Sequence, residues 1–407
     1  MIPALLALSV ALASPVTGQV DLQCHLAMHL ALPAYGRGPD QALPRRPMDH
    51  RHLTRQQMVT PYLAASGARI ISTAAFADEA TARPATARRK ILAQLRYVED
   101  WVGRHADTFA LARTPAEARA ALADGRIAVV QAIEGAAGLL SNPEDATFWA
   151  AQGVVLVTPI HLVDDVYGGA MIAPEGFPSL FNRGALRRQR RDPALRRGLT
   201  DAGRRAVAAL ATAGILVDLS HMAPPARQDA SDLLAGLGAP PIYTHTVLGA
   251  FRQEERGLSD AEVVALYRAG GLLGLPLNGA AMDPLPATPL DGYCAGTTDA
   301  FRLHHDHLAR LLDATFGPLG EDESGPLAIG WASDFNGMVN HFAPKYGRQG
   351  CVPTPPADAL PFDTLGLGHA GMLPQVWTRL ASEGMDLAYL DRSAERFLRI
   401  WERAQAR

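Results

Sequence analysis

The sequence predicts an α/β protein, a (β/α)8 TIM-like barrel with long active-site loop insertions. Short apolar runs alternate with helical patterns along the whole chain, as in a parallel sheet wrapped by helices. Six of the runs end in histidine or a carboxylate, and two long irregular stretches break the alternation.

The eight strand-like runs are Val16 to Leu22, Arg69 to Ala75, Ile127 to Ile133, Val154 to Ile160, Ile215 to Leu219, Pro241 to Thr244, Leu272 to Leu277 and Leu327 to Trp331. Several are unbroken Val/Ile/Leu segments, which is what burial on both faces demands. Helical patterns fall at Ala85 to Ala106, Pro115 to Ala123, Thr200 to Ala213, Pro225 to Leu237, Ser259 to Ala269, Asp299 to Phe316, Gly371 to Glu383 and Asp386 to Ala404. A doubly wound sheet shares this alternation and is the alternative. The irregular stretches, Leu162 to Gly198 and Asn336 to His369, are long enough to serve or cover a binding site. The basic run Arg183 to Arg197 inside the first reads as a solvated face.

Composition narrows the class. A chain of 407 residues, 48% hydrophobic and 19% charged, can bury a large core, so disorder is excluded. Lys and Arg number 38 against 41 Asp and Glu, and a net charge of −3 offers no field for nucleic acid or an anionic membrane. Residues 1–19 read either as a signal peptide or as the lead-in to the first strand: Ala11-x-Ala13 has the form a signal peptidase cuts, but no Lys or Arg precedes it. Residues 20–407 read as a single barrel domain with no transmembrane span. Localisation follows the first segment, secreted or periplasmic if it is a signal peptide and cytoplasmic if not. Cys24, Cys294 and Cys351 are too few for a disulfide framework, and three unpaired thiols are expected; a Cys294 to Cys351 bridge is the alternative in an exported chain.

The strand ends carry the chemistry. The runs lead into Gln23-Cys24-His25, Glu134-Gly135, His161, Ser220-His221, His245 and Ser333-Asp334. In a barrel these ends share one rim, where barrel enzymes place their active sites. Imidazole and carboxylate together are the ligands of Zn²⁺ and similar ions, and a carboxylate can bridge two of them. Metal binding lowers the pKa of water from about 16 toward 7, so hydrolysis by a metal-bound hydroxide is the natural reaction. Taken singly, each residue has a plainer explanation: a hydrogen-bonded core histidine, or a Glu134 that caps its turn. Six such residues at six strand ends outweigh six separate coincidences. His304, His305 and His307 lie in a helical pattern without a shared face and read as surface residues, while His29 could join the site only if its stretch turns helical. His50, His52, His105, His341 and His369 have no supporting context.

The stretch Gly198-Leu-Thr-Asp-Ala-Gly-Arg followed by Gly214-Ile-Leu-Val-Asp-Leu-Ser-His221 resembles the membrane (renal) dipeptidases, zinc metallopeptidases of the amidohydrolase-like barrel class. Ala132-Ile-Glu134-Gly, Thr158-Pro-Ile-His161, Pro241-Ile-Tyr-Thr-His245-Thr and Gly330-Trp-Ala-Ser-Asp334-Phe-Asn-Gly support the resemblance, in the right order. It implies that Glu134 bridges two zinc ions and that His221 and His245 complete the second site. It further implies that His161 contacts the substrate and stabilises its oxyanion, and that Asp334 handles the proton. Arg256 falls where the family's substrate-carboxylate arginine lies, and a guanidinium suits the free C-terminus of a short peptide.

The first site departs from the family. Its His-x-Asp pair is here Gln23-Cys24-His25, with an amide in place of imidazole and imidazole in place of carboxylate. Gln23 could bind through its carbonyl oxygen, and His25 through its ring, but the first ion should be held more weakly or lost. The resemblance therefore implies a zinc-dependent dipeptidase with one or two Zn²⁺, a small peptide as its partner, and room for a homodimer. The alternatives are a catalytically impaired barrel that acts as a binding protein, and a hydrolase of another small amide or lactam.

Overall fold

A computed structural model describes residues 16–32, 38–51, 56–77, 83–172, 183–192, 195–286 and 290–406. The leading residues 1–15 of the predicted signal or lead-in segment, and His52, lie outside them.

Eight parallel strands form a nearly closed barrel: β1 Gln19–Cys24, β2 Ala68–Phe76, β3 Ile127–Glu134, β4 Val154–Thr158, β5 Leu216–Val217, β6 Ile242–Tyr243, β7 Leu272–Pro276 and β8 Ile329–Ala332. Their order is β5-β4-β3-β2-β1-β8-β7-β6, so each strand lies beside its sequence neighbours and β1 pairs with β8. A parallel bridge from Asp218 to Ile242 joins the two ends of the path. This is the architecture that the alternating runs predict, and the doubly wound alternative falls with the β1–β8 pairing. An extra short strand, Phe109–Leu111, adds to β3 on the outside.

Local chemistry starts the helices where the pattern places them. Thr114 and Glu117 form a capping box at Pro115–Ala123, Ser259 and Glu262 do so at Asp260–Arg268, and Thr200 accepts the Gly203 N–H at the head of Asp201–Thr212. Among the described residues, two nine-residue helices escape the sequence pattern, as do three shorter ones at Thr60–Ala64, Gly279–Met282 and Pro361–Leu365. One of the longer pair, Pro143–Ala151, opens with Asp145 accepting the Asn142 N–H. The other, Arg183–Arg191, occupies the basic run. That run is not wholly solvated: Arg197 is buried because Asp164 and Glu255 neutralise it, and it also donates to the Ala170 carbonyl.

The core has two parts. Outward faces of the strands pack on helices through residues such as Ile71, Val129, Val157 and Leu275, while Val20, Leu22, Ile70, Val130 and Leu156 group with Phe397 and Trp401 of the C-terminal helix Ser393–Gln405. Leu22 fits only because β7 and β8 each carry a glycine there: a Cβ at Gly274 or Gly330 would stand 2.7 or 2.5 Å from Leu22 Cδ1.

Two sequence expectations are corrected. Cys294 and Cys351 form a disulfide, leaving Cys24 as a free, buried thiol. His304 and His305 are buried rather than on the surface. His304 satisfies both ring nitrogens internally, accepting from Leu248 N–H (3.1 Å) and donating to the Met282 carbonyl (2.9 Å).

Candidate metal centre

The C-terminal ends of the strands bring the predicted residues together. Glu134 closes β3, and its buried carboxylate is the hub. Its Oε1 lies 3.5 Å from His161 Nε2, 3.6 Å from His221 Nε2 and 3.7 Å from His245 Nε2. Ligands of one tetrahedral ion bound at 2.0–2.1 Å stand about 3.4 Å from one another, so these spacings suit a single ion. Glu134, His161 and His221 offer ligand atoms all within 4.8 Å of one another, and His161 is thus as close to the hub as the two histidines expected to be ligands. His221 Nε2 and His245 Nε2 are 2.6 Å apart, a hydrogen bond that must open for both to hold the same ion.

The tautomer of His245 is fixed from beneath. Asp218, fully buried, accepts four hydrogen bonds: Oδ1 from the N–H groups of Ser220 and Thr244 (both 3.0 Å), Oδ2 from the hydroxyls of Thr158 and Thr244 (both 2.7 Å). Thr244 thereby spends its one hydroxyl proton on Asp218 and faces His245 Nδ1, 2.7 Å away, with lone pairs only. His245 must donate from Nδ1, which leaves Nε2 bare toward Glu134. Such outer partners set both the orientation and the basicity of metal-binding histidines. Sequence reasoning missed this role, although an aspartate inside the apolar run Ile215 to Leu219 was its visible signal.

On the other side of the hub, His25 Nε2 lies 3.4 Å from Glu134 Oε2 and 3.1 Å from Asp334 Oδ1, and His25 Nδ1 lies 3.2 Å from the Ala74 carbonyl. Gln23 is fully buried, and neither its Oε1 nor its Nε2 has a partner. Asp334 stands on a turn of left-handed residues, with φ of 53° there, 63° at Asn336 and 66° at Met338. His221 shares this geometry at 66°. Backbone strain of this kind is held only where the surroundings enforce it. Here Gln23 O accepts the Asp334 N–H, Gln57 Oε1 accepts the Asn336 N–H, and buried His341 donates to the Ser333 carbonyl. His341 thus has a supporting role that its sequence context did not reveal, whereas His29 stacks edge-on with Tyr97.

Charge follows this layout. Burial pushes His221 well below its ordinary pKa, helped by His161, His245 and Arg256, and burial likewise lowers His245; both present neutral, ligand-ready rings. Burial raises the Asp334 carboxyl, but the His25 hydrogen bond and nearby positive charge outweigh it and hold Asp334 below the ordinary range. Burial opposes a charge on His25, yet Asp334 and Glu134 carry it above its usual value.

Arg256 reaches the rim on a loop that turns back after β6. Its Nη2 donates to the His245 carbonyl (3.1 Å), its own carbonyl accepts from Thr246 Oγ1, and its Nε has no partner. Arg252 pairs with Glu254 and Arg197 with Glu255, so among the described residues no carboxylate lies within ion-pair distance of Arg256. Burial lowers its pKa, a sign of a poorly solvated guanidinium.

Known proteins share this fold. The dipeptidase AC, a metallo peptidase, superposes with a TM-score of 0.67 at 20% identity, over 96% of this chain and 99% of that one. A metallo peptidase from Rhodobacter sphaeroides, liganded with a phosphinate mimic of the dipeptide L-Ala-D-Ala, matches with the same TM-score and coverage at 19% identity. The probable dipeptidase PvdM from Pseudomonas aeruginosa matches at 0.62 and 16% identity, covering 97% of this chain and 96% of that one. At these identities the likeness establishes the fold. The sequence profile of the membrane dipeptidases (Peptidase family M19) matches residues 16–341, the greater part of the chain. The chain belongs to the membrane dipeptidase family.

Proposed function

We propose that this protein is a zinc-dependent dipeptidase that cleaves short peptides carrying a free C-terminal carboxylate. The observation that carries this reading is the convergence of three imidazole Nε2 atoms on one oxygen of buried Glu134, beside a guanidinium without a carboxylate partner. The phosphinate dipeptide mimic held by the Rhodobacter sphaeroides relative supports the substrate class.

Glu134, His221 and His245 are the residues that would hold the ion, and the chemistry it supplies is Lewis acidity and a water of lowered pKa. Arg256 takes the substrate's terminal carboxylate through two parallel N–H donors, which orients the scissile carbonyl toward Glu134. His161, on the same rim, donates to the carbonyl oxygen as negative charge develops on it. Asp334 is ionised at neutral pH, so it can accept a proton from the attacking water and deliver it to the leaving amine.

The test is turnover of a small dipeptide panel by His221→Ala and Glu134→Gln. Each variant is expected to lose metal-dependent hydrolysis; wild-type rates in either refute the assignment.

A further inference from the structure

Arg256 follows two glutamates on its loop, yet it reaches the rim with neither of them attached. Both are already committed: Glu254 pairs with Arg252, and the Glu255 carboxylate accepts from Arg197 Nη1 (3.0 Å to each oxygen) and from the Ile172 N–H (2.6 Å). The backbone of the loop is held by Arg227, a buried residue of the helix Pro224–Leu237 that opens just after His221. Arg227 Nη1 donates to the Glu255 carbonyl and Nη2 to the Gly257 carbonyl (3.1 Å), one on either side of Arg256. The Arg256 carbonyl itself accepts from Thr246 Oγ1 (2.8 Å). Fixing these carbonyls fixes the two planar peptide groups that meet at the Arg256 Cα, and so the direction in which its side chain leaves the loop. A buried guanidinium is costly unless it is paired, and Arg227 Nε has Glu262 Oε1 at 2.8 Å. Burial raises the Glu262 carboxyl, but the Arg227 hydrogen bond and charge outweigh it and hold it below the ordinary range. Glu262 is anchored in turn by the capping box with Ser259.

We infer that Arg227 is a positioning residue for substrate recognition: its guanidinium clamps the carbonyls on either side of Arg256 and so aims Arg256 at the terminal carboxylate of the peptide. This inference rests on the proposed reading of Arg256 as the carboxylate grip, and deepens it. The helix that carries Arg227 begins directly beyond the His221 turn, so the grip and that edge of the metal centre are tied to one element. The span between them decides where the scissile carbonyl falls, and a displacement of about 1 Å can cost about 100-fold in rate. Only a guanidinium supplies the three bonds at once. Its planar fork reaches Glu262 and both carbonyls, whereas a lysine ammonium is a single point charge on a flexible stem.

The zinc-loaded full-length protein and its variants are assayed on a free dipeptide and on the same dipeptide amidated at its C-terminus, with zinc content counted by elemental analysis. Arg227→Met should retain zinc and lose about 5- to 100-fold in kcat/KM on the free dipeptide, chiefly through KM, while the amidated one changes by less than about twofold. Arg227→Lys should fall between Arg227→Met and wild type, and it carries the same comparison if Arg227→Met does not fold. In an Arg256→Met background, Arg227→Met should cost less than about twofold more, because a side chain already removed cannot be misaimed. Equal losses on both substrates, or full additivity with Arg256→Met, would show an arginine that serves folding alone and overturn the inference. Discrimination between the substrates that is lost in Arg256→Met but intact in the Arg227 variants would overturn it too, and leave the proposed function standing. Discrimination intact in Arg256→Met as well would overturn the reading of Arg256 along with it.

Discussion

Asp218→Asn tests how the barrel interior prepares the metal centre. Asp218 Oδ2 receives hydroxyl protons from Thr158 and Thr244, and that commitment makes Thr244 an acceptor for His245 Nδ1–H. An asparagine presents either an NH2 at that place or an oxygen without charge. With the NH2, Thr244 turns its proton toward His245 Nδ1, and the ring moves its own proton to Nε2, the atom facing Glu134. Outer-shell losses of this type lower metal affinity by about 10- to 100-fold, roughly 1.4–2.7 kcal/mol. Thr244→Val cuts the same relay in the middle, so Asp218→Asn and Thr244→Val should weaken zinc by similar amounts, and the double variant by little more than either. Thr158→Val removes a contact to Asp218 without touching Thr244 and should leave affinity within about twofold. Zinc affinity is read by competition with a chromophoric chelator, with thermal unfolding of the apo proteins as the control for folding. Full additivity of the two relay variants, or unchanged affinity in Asp218→Asn, would refute the relay.

Two further outcomes follow from the same geometry. Arg256→Met should cost kcat/KM about 10- to 150-fold on free dipeptides, the loss of a hydrogen-bonded charge of about 1.5–3 kcal/mol, while C-terminally amidated analogues, which wild type is expected to cleave poorly, should be cleaved no worse than by wild type; an equal loss on both substrates contradicts the carboxylate role. Burial pushes His304 down to about 4 from an ordinary 6.5, so on acidification the unfolded imidazole binds its proton first and stability falls as pH drops across that window. His304→Gln should shrink the stability loss between pH 7 and 4.5 by about 2–3 kcal/mol in denaturant unfolding, and an unchanged loss would show that His304 is not a main contributor.

The barrel was legible because strands buried on both faces tend to be apolar throughout, and several of the eight runs stood out for that reason. The rim was legible because strand ends converge whatever the loops do. What stayed hidden depends on partners far away in the chain. His304 and His305 face the core although they share no stripe with a third histidine, since the helix Thr298–Phe316 is buried on more than one side and Leu248 and Met282 supply polar partners to His304. The Cys294–Cys351 bridge was read only as the alternative to three free thiols, since it spans a sequence separation of 57 and no spacing rule pairs such distant thiols. Arg197 was lost in a run of arginines because only the fold brings Asp164 and Glu255 to it. Asp218 stood in plain view, but its four donors come from three strand ends.

Turnover of an unmodified dipeptide before and after the protein is stripped of metal, and again after zinc is restored, addresses the central claim most directly. Hydrolysis that disappears on stripping and returns with zinc is the result predicted by a cation held at Glu134, His221 and His245. Turnover indifferent to stripping, or none with zinc restored, would contradict it.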